Sequence, residues 1–261
     1  MLKALNTAAT GLEAQQNNME VITNNLANVS TAGFKKSRAE FEDLMYQTQK
    51  EPGQASGMNS VSPTGVQTGL GVKTAAIQKD FTNGSSIITK NPLDIQIEGN
   101  GFFQIQTGDG QVAYTRDGSF KRDGTGRVVD KNGNLLIPEM TIPADAAGIE
   151  ISETGEVKII QNGNTVPTTV GQIDIVNFVN PAGLRSMGKN LYGQTGASGQ
   201  AITTRPGLQG TGYLSQGQLE GSNVNIVDEM VNMITAQRFY ETNSKAIQAA
   251  DQMLQSTNNL R

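Results

Sequence analysis

The residue types that most often perform acid–base, nucleophilic or metal chemistry are scarce in this chain, which contains no cysteine and no histidine. Without cysteine it cannot form disulfides, thiolate nucleophiles or thiolate-bound metal sites. Without histidine it lacks the commonest general base near neutral pH and the commonest metal ligand. Its 24 acidic residues could include a catalytic carboxylate pair, but none of them stands in a recognisable context. We therefore predict a protein that is not an enzyme and has no catalytic, cofactor-binding or metal-binding residues.

Two glycine-containing segments superficially resemble ligand-binding motifs. Residues 117–133 look like a calcium loop, but Asp123-Gly-Thr-Gly lacks the alternating oxygen ligands that such a loop requires. Gly99-Asn-Gly101 has neither the third glycine nor the following helix of a dinucleotide-binding fingerprint. Hairpin turns explain residues 117–133 better.

The charge and hydropathy of the chain exclude several classes of partner. A net charge of −4 and a pI near 5.0 give no electrostatic reason to bind nucleic acid or anionic lipid. No stretch reaches the roughly 20 apolar residues of a membrane span. Asn6, Thr7 and Thr10 interrupt the apolar core that a secretory signal would need. We predict no nucleic acid partner, no membrane insertion and, if the protein is exported, a route without a cleaved signal peptide.

The elements that would organise such a chain are clearest at its two ends. Apolar residues recur near the N-terminus at alternating spacings of four and three, with Gln15 as the interruption: Met1, Leu5, Ala8, Leu12, Met19, Ile22 and Leu26. A second series near the C-terminus has members seven apart: Ile226, Met233, Tyr240, Ile247 and Leu254. Met230, Gln237, Ser244 and Asp251 occupy the intervening positions of that series. A period of 3.5 residues predicts two long helices with narrow coiled-coil seams. Gly33 is the predicted stop of the first helix, and Asn225 and Asp228 are the predicted N-cap and first-turn acid of the second.

The central part of the chain has a different period. Residues 93–98 alternate between apolar and polar types, as strands do. Six turn dipeptides punctuate the region: Asn83-Gly84, Asp109-Gly110, Asp117-Gly118, Asp123-Gly124, Asn132-Gly133 and Asn162-Gly163. Such pairs supply the positive φ angles of tight hairpins, which predicts an antiparallel all-β domain of short strands. Residues 46–65 are polar and rich in proline and glycine, which predicts a linker or long loop.

The predicted fold class is therefore α+β, with an antiparallel coiled-coil hairpin of the terminal helices and an inserted all-β domain. Residues 1–30 and 223–261 form the helical domain, 31–70 an extended linker and 71–222 the β domain. A hairpin packed on itself leaves its seams incompletely buried, so neighbouring copies of the chain are the natural additional partners. An intramolecular hairpin in a monomer and a membrane-surface helix are the alternatives; residues 1–34 carry one lysine against two glutamates, which disfavours the second.

Specific residues then add a family resemblance. Thr23-Asn-Asn-Leu-Ala-Asn-Val-Ser-Thr-Ala-Gly33-Phe-Lys35 resembles the N-terminal signature of the axial proteins of the bacterial flagellum, the rod and hook proteins. Ser222-Asn-Val-Asn225 and the following residues through Lys245 resemble the closing helix of that family, and 99–103 and 114–120 resemble its β-domain segments. The matched motif positions are Asn24, Asn25, Asn28, Thr31, Gly33, Phe34, Lys35, Asn223 and Asn225. The resemblance is closest to distal rod members.

The resemblance implies a structural subunit that polymerises into a straight hollow shaft and transmits torque from motor to hook. The implied interface residues are Leu5, Leu12, Met19, Ile22, Leu26, Ile226, Met230, Met233, Tyr240, Ile247 and Leu254. Residues 46–65 resemble a stretch that keeps rods stiff, with Tyr46, Pro52, Gly53, Pro63 and Gly65 as its marked positions. The implied partners are other copies of the chain, proximal rod and hook subunits, ring proteins where an outer membrane exists, and the flagellar type III export apparatus. The implied location is the basal-body rod, crossing the periplasm.

Two alternatives stay open at this stage. One is a proximal rod or hook subunit, which filament shape would distinguish because hooks are curved and pliable. The other is a secreted polysaccharide-binding or polysaccharide-hydrolysing β domain on a helical stalk. Deleting residues 225–261 separates that class from a structural subunit: the stalked β domain would keep its sugar ligand, whereas the structural subunit would lose polymerisation.

Overall fold

The computed structural model describes residues 2–53, 55–57, 60–61, 63–161 and 166–259. Two helices stand at the ends of the chain and a mostly antiparallel β region lies between them, which confirms the α+β class. The chain divides into two compact units. Unit 1 consists of residues 1–27, 37–78 and 225–261, and unit 2 of residues 28–36 and 79–224.

Unit 1 contains both helices, α1 (Leu2–Ala27) and α2 (Ile226–Asn259). The predicted end of the first helix at Gly33 is too late, because α1 stops at Ala27 and a series of turns follows. Asn225 caps α2: its side-chain oxygen accepts a hydrogen bond of 3.0 Å from the backbone nitrogen of Val227. Asp228 and Glu229 then place negative charge in the first turn, where the helix dipole favours it.

The strands of unit 1 pair as one nested hairpin, in which the first strand pairs with the last and the middle two with each other. They are β1 (Ser37–Asp43), β2 (Tyr46–Lys50), β3 (Ala55–Gly57), β4 (Ser60–Val61), β5 (Val66–Gly69) and β6 (Val72–Lys79). The prediction of a linker or loop for residues 46–65 is therefore wrong: β2 pairs with β5 and β3 with β4. The proline and glycine residues of this segment led to the loop prediction, although they lie at turns between short strands.

Unit 2 is built from many short strands. Their bounds are β7 Ser86–Ile88, β8 Ile95–Glu98, β9 Phe103–Gln106, β10 Val112–Thr115, β11 Lys121–Arg122, β12 Val128–Val129, β13 Leu135–Ile137, β14 Ala146–Ile151, β15 Glu156–Gln161, β16 Thr168–Gln172, β17 Ile175–Asn177, β18 Arg185–Gly188, β19 Leu191–Gly193, β20 Ile202–Thr204, β21 Tyr213–Gln216 and β22 Gln218–Glu220. The largest sheet has seven strands in the order β11-β12-β13-β9-β10-β19-β18, all antiparallel. The remaining strands form one three-stranded sheet, β14-β15-β16, and the pairs β17–β20, β8–β21 and β7–β22. The predicted antiparallel arrangement is confirmed.

Two hydrophobic clusters form the core of unit 2. Adjacent residues of an extended chain point to opposite sides, so Phe102 and Phe103 serve different clusters. Phe103 packs edge-on against Phe120 among aliphatic side chains, with ring centroids 5.1 Å apart. Phe102 belongs to an aromatic cluster with Tyr114, Val176, Phe178, Leu184 and Tyr192. Unit 2 thus has an apolar core of its own.

Only part of the turn prediction is correct. The dipeptides at 109–110, 123–124 and 132–133 lie in turns between neighbouring antiparallel strands. Asn83-Gly84 and Asp117-Gly118 are not hairpin turns; they lie in extended connections that border a buried cluster of charges described below. Asn162-Gly163 falls outside the described residues.

The two compact units also differ from the predicted division of the chain. Residues 37–78, most of the predicted linker, group with the helices. Residues 28–36, which contain most of the N-terminal motif, group with the β unit. Both groupings depend on contacts between residues that are distant in sequence, and local composition cannot predict such contacts.

Candidate assembly surface and buried charge cluster

The two terminal helices pack against each other inside unit 1, and two contacts show that they run antiparallel. Gly11 lies beside the Asn243 side chain, where an added Cβ would be 3.1 Å from Nδ2. Further along, Asn25 Nδ2 donates a hydrogen bond of 3.3 Å to Glu229 Oε2. The most buried positions of α2 follow a heptad spacing: Glu229, Ala236 and Ala250. The alanine side chains at two of these positions allow the two backbones to approach closely.

This pattern corrects the predicted seam of α2. The prediction placed Met230, Gln237, Ser244 and Asp251 between the members of the heptad series, but of these only Ser244 is even partly buried. The positions one residue earlier, Glu229, Ala236, Asn243 and Ala250, face α1 instead. On α1 the buried positions are Ala14, Val21, Ile22 and Asn25. The helices therefore pack through alanine and amide side chains of α2 and not through its stripe of bulkier apolar residues.

The predicted interface residues consequently keep much of their surface. Ile226, Met230 and Tyr240 are exposed, with 47%, 51% and 40% of their surface accessible. Seven members are partly or fully buried, of which Ile22 is fully buried: Leu5, Leu12, Met19, Ile22, Leu26, Met233 and Ile247. The side chain of Leu254 lies outside the described residues. Ile22 belongs to the buried seam, whereas the other described members form a flank of the helix pair that the described part of the chain leaves incompletely covered.

The opposite flank of α1 is occupied by the nested hairpin. Asn17 Nδ2 donates a hydrogen bond of 3.1 Å to Thr74 Oγ1 in β6. Thr10 Oγ1 accepts a hydrogen bond of 3.4 Å from the backbone nitrogen of Val72. Gly71 has a φ of +133°, and a Cβ there would lie 2.2 Å from Thr10 Oγ1, so the close approach requires glycine. One side of the helix is thus fixed to strands within unit 1.

Two motif asparagines organise the helix termini of unit 1. The Asn25 side chain forms two hydrogen bonds of 2.8 Å with the backbone of Ser37, one as donor and one as acceptor, in addition to its bond with Glu229. It therefore ties the last turn of α1 to the start of β1 and to α2. Asn225 caps α2, as predicted from its position. Asn24 is exposed and takes part in another polar interaction.

Unit 2 contains a buried cluster of three charged side chains, Lys35, Arg116 and Glu220, none more than 3% exposed. Lys35 Nζ lies 2.7 Å from Glu220 Oε1 and donates a second hydrogen bond to the carbonyl oxygen of Thr82. Arg116 donates to both Glu220 oxygens, at 2.8 Å from Nε and 3.1 Å from Nη2. Such a bidentate geometry is the strongest form of this ion pair.

Backbone and amide groups satisfy the rest of the cluster. Arg116 also donates to the carbonyl oxygens of Gly99 and Gly101, at 2.8 and 2.6 Å, and to Asn83 Oδ1 at 2.9 Å. The backbone nitrogen of Gly84 donates to Glu220 Oε1 at 3.1 Å. Asn83-Gly84 and Gly99-Asn-Gly101 are thus partners of the buried arginine and glutamate. The prediction of a hairpin turn at Asn83-Gly84 missed this role.

The electrostatics of the cluster favour an ionised glutamate. Burial alone would raise the pKa of Glu220, but the charge of Arg116, its hydrogen bonds and Lys35 outweigh that effect and lower the pKa. Burial lowers the pKa of Lys35, and the like charge of Arg116 acts in the same direction. Two buried cations therefore share a single buried anion, and both depend on Glu220 for charge compensation.

Other motif residues of unit 2 surround this cluster. The backbone nitrogen of Gly33 donates to the Glu220 carbonyl oxygen at 2.8 Å, and its φ of +69° suits glycine. Phe34 is buried with Lys79 Nζ 5.1 Å from its ring centroid. Asn223 accepts a bond from the Lys36 backbone nitrogen and donates one to the Asp80 carbonyl oxygen, at 2.7 and 2.9 Å.

Asn28 and Thr31 close the turn that begins unit 2. The hydroxyl of Thr31 donates to Asn28 Oδ1 at 3.2 Å, and its backbone nitrogen donates to the Asn28 carbonyl oxygen at 3.1 Å. The motif therefore has a structural explanation at nearly every position. Arg116 and Glu220 are the functional residues that sequence reasoning missed. Arg116 lies within residues 114–120, which resemble a β-domain segment of the family, whereas no local sequence pattern distinguishes Glu220.

The marked positions of the predicted stiffening segment lie in the nested hairpin. Tyr46 begins β2 and packs on Gly69, while Pro52 and Gly53 lie in a turn after β2. A Cβ on Gly65 would lie 2.6 Å from the Lys50 carbonyl oxygen, so this position requires glycine. Pro63 is exposed beside it. Gln54, Met58, Asn59 and Ser62 of the segment lie outside the described residues.

Among the described residues, no group of three or more acidic side chains is placed to hold a metal ion. No described helix combines the length and apolar character needed to cross a bilayer.

Comparison with known proteins identifies the family. Three family profiles match successive parts of the chain: Flagella basal body rod protein at residues 5–35, Flagellar hook protein FlgE/F/G D1 domain at 96–159, and Flagellar basal body rod FlgEFG protein C-terminal at 215–260. The flagellar basal-body rod protein FlgG of Buchnera aphidicola subsp. Acyrthosiphon pisum is 50% identical over 260 residues, covering 100% of each chain. The chain belongs to the flagellar basal-body rod protein family.

Further relatives separate rod from hook within this larger group. The flagellar basal-body rod protein FlgG of Caulobacter vibrioides is 48% identical over 261 residues, covering 100% of each chain. The flagellar hook protein FlgE of Salmonella typhimurium is 25% identical over an alignment of 416 residues, covering 97% of this chain and 99% of the hook protein. The higher identity and the equal lengths favour the rod proteins over the hook proteins.

The buried charge cluster joins the three parts of this rod protein that match family profiles. Lys35 is the last residue of the first matched segment, Arg116 lies in the second and Glu220 lies in the third. The family-matched segments therefore meet at one ion cluster inside unit 2.

Proposed function

We propose that this chain is a structural subunit of the distal rod of the flagellar basal body and polymerises into a straight hollow shaft that transmits torque to the hook. Its family membership supports the rod assignment. The observation that carries the polymerisation mechanism is the incompletely covered apolar flank of the helix pair. A folded subunit that exposes such an apolar flank is stabilised when copies pack together, because the flank is then buried.

Helical geometry places most of the described interface residues of both helices on one side of the pair. An α-helix turns by about 100° per residue, so Leu12 and Met19 are rotated by roughly 130° from the buried seam of α1. Ile226 and Met230 are rotated in the same sense, by roughly 90–130°, from the seam of α2. Because the helices run antiparallel, equal senses of rotation bring both sets to the same side, opposite the nested hairpin.

We further propose that the helices pair as a coiled coil and that neighbouring copies cover this flank. Polymerisation then completes the burial of the partly exposed residues and can extend indefinitely when the contacts do not close into a ring. The remaining proposed partners are proximal rod and hook subunits, ring proteins where an outer membrane exists, and the type III export apparatus. The proposed location is the basal-body rod in the periplasm.

Electron microscopy of the assembled protein tests this function directly. The purified native chain should form straight hollow tubes when it is concentrated. Met230→Lys places a charge on the apolar flank and should prevent tube formation while leaving helix content unchanged. Thr235→Lys is a matched control, since residue 235 is exposed on the same helix and lies about 140° around it from Met230. Tubes formed equally well by Met230→Lys would contradict the proposed interface.

A further inference from the structure

Two exposed acids and two exposed bases stand on the faces of the terminal helices that point away from the intramolecular seam. Glu13 and Glu20 lie on α1, and Arg238 and Lys245 lie on α2. Helical geometry rotates all four by roughly 120–170° from the buried positions of their helices. Within the described part of the chain, the ion pairs involve none of these four residues. Glu20 accepts one hydrogen bond, of 3.2 Å, from Gln16.

The spacing of the two charge pairs is the same. Glu13 and Glu20 are seven residues apart on α1, and Arg238 and Lys245 are seven residues apart on α2. At about 1.5 Å per residue, each pair spans roughly 10.5 Å along its helix. A seven-residue step also returns a side chain to nearly the same face. Each helix therefore presents two like charges at matching distances on its outward surface.

We propose that these residues form an intermolecular charge ladder between the α1 helix of one copy of the chain and the α2 helix of the next. This proposal rests on the proposed polymerisation and identifies a lateral contact within it. When copies share one axial direction, α1 of one copy runs antiparallel to α2 of its neighbour. In that arrangement the alignment that brings Glu20 beside Arg238 also brings Glu13 beside Lys245.

The other charge on this face of α2 is compatible with the same alignment. Glu241 lies between Arg238 and Lys245 and is exposed. In the proposed register it comes opposite the amide side chains of Gln16 and Asn17, which can donate hydrogen bonds to a carboxylate. The register therefore places no like charges opposite one another.

A second copy of the chain fits this surface better than other partners. The acids and bases of one molecule point in different directions from the hairpin, so they cannot satisfy each other within it. Neither set forms the large single-sign patch that attracts nucleic acid or a charged membrane. Complementary charges at equal spacing are the pattern that fixes register between helices.

Reversing the charges gives the decisive test. Glu13→Lys/Glu20→Lys and Arg238→Glu/Lys245→Glu should each raise the concentration needed for polymerisation by about tenfold or more, because like charges then face each other at every contact. A 1:1 mixture of the two variants should polymerise near the native concentration, since each variant then attracts the other at both of its surfaces. Sedimentation and electron microscopy measure both effects.

A control and two contradictory outcomes make the test specific. Lys121→Glu/Arg122→Glu changes the net charge equally on exposed positions of β11 and should polymerise as the native chain does. Native-like assembly of either helix variant alone, or no recovery in the mixture, would overturn the charge ladder. Failure of the native chain to assemble at all would instead reject the proposed function, together with the ladder that rests on it.

Cross-linking supplies an independent readout because the native chain has no cysteine. Glu20→Cys/Arg238→Cys, treated while assembled with a short bis-maleimide, should give a ladder of dimers, trimers and longer oligomers. Either single-cysteine variant can give at most dimers. A double variant that assembles but yields nothing beyond dimers would show that residues 20 and 238 of neighbouring copies are not adjacent.

Discussion

Glu220 stands between two buried cations, and each of them depends on it for charge compensation. Lys35 and Arg116 both bond its carboxylate, at distances of 2.7–3.1 Å. Removing one member of a buried ion cluster leaves the others desolvated without a counter-charge, which costs far more than an exposed pair does. At the scale of single residues, unit 2 is therefore most sensitive at this position.

Replacing this carboxylate should strongly destabilise the protein. Glu220→Gln keeps the shape of the side chain but removes its charge, and we expect a loss of about 3–5 kcal/mol in the free energy of unfolding of unit 2. Lys35→Met should cost less, because it leaves the neutral pair of Arg116 and Glu220. Denaturant unfolding measures both losses. Glu98→Gln, at an exposed carboxylate of β8, is the control; equal effects of the Glu220 and Glu98 substitutions would contradict a special role for the cluster.

The same residue predicts acid sensitivity. The pKa of Glu220 is lowered in the folded protein from an ordinary value of 4.5, so the unfolded chain takes up its proton first as the pH falls. The stabilisation from this carboxylate is complete above pH 4.5 and is lost as the pH falls through the lowered pKa. Unfolding experiments from pH 6 to pH 3 should show that loss in the native protein. A slope of the same size in Glu220→Gln would assign it to other carboxylates.

At the scale of elements, the nested hairpin is the main departure from the predicted fold. Its outer strands pair beside α1, and its middle strands lie within the segment that was predicted to be a linker. A paired hairpin resists bending more than a single extended strand, because its backbone hydrogen bonds must break before the chain can fold back. This gives the proposed stiffening role of residues 46–65 a physical basis.

Shortening the hairpin should make the assembled tube bend. Met45 and Leu70 face each other, with the Leu70 backbone nitrogen 3.2 Å from the Met45 carbonyl oxygen, so residues 46–69 can be replaced by an Asn-Gly turn without opening β1 and β6. We expect tubes of lower persistence length in electron micrographs. Unchanged helix content by circular dichroism would show that unit 1 of the variant still folds, and tubes as straight as native ones would reject the stiffening role.

At the scale of the whole molecule, the β unit carries its own core and charge cluster. Both hydrophobic clusters and all three members of the charge cluster lie within residues 28–36 and 79–224. Deleting residues 225–261 should therefore abolish polymerisation but leave a folded β unit with a cooperative unfolding transition. Fluorescence or circular dichroism detects that transition, and sedimentation detects the missing polymer. Persistent filaments would show that α2 is dispensable for assembly.

Local patterns predicted the elements that depend on neighbouring residues. Heptad periodicity predicted both helices, Asn225 predicted the cap of the second helix, and alternation with turn dipeptides predicted the antiparallel β region. The absence of cysteine and histidine predicted a structural protein rather than an enzyme. These signals are readable because helix and strand periods are set by the geometry of a few consecutive residues.

The sequence by itself thus determined the class of the protein, its terminal helices and its family motifs. The tertiary structure decided which helix face is buried, where the nested hairpin pairs and that Lys35 meets Glu220, 185 residues away in sequence. The physical reason is that burial and ion pairing are relations between distant parts of the chain. The stripe of large apolar residues indicates that these helices have a partner, but it does not show which face packs within the molecule. Within unit 1, the two helices pack through small residues such as Ala236 instead.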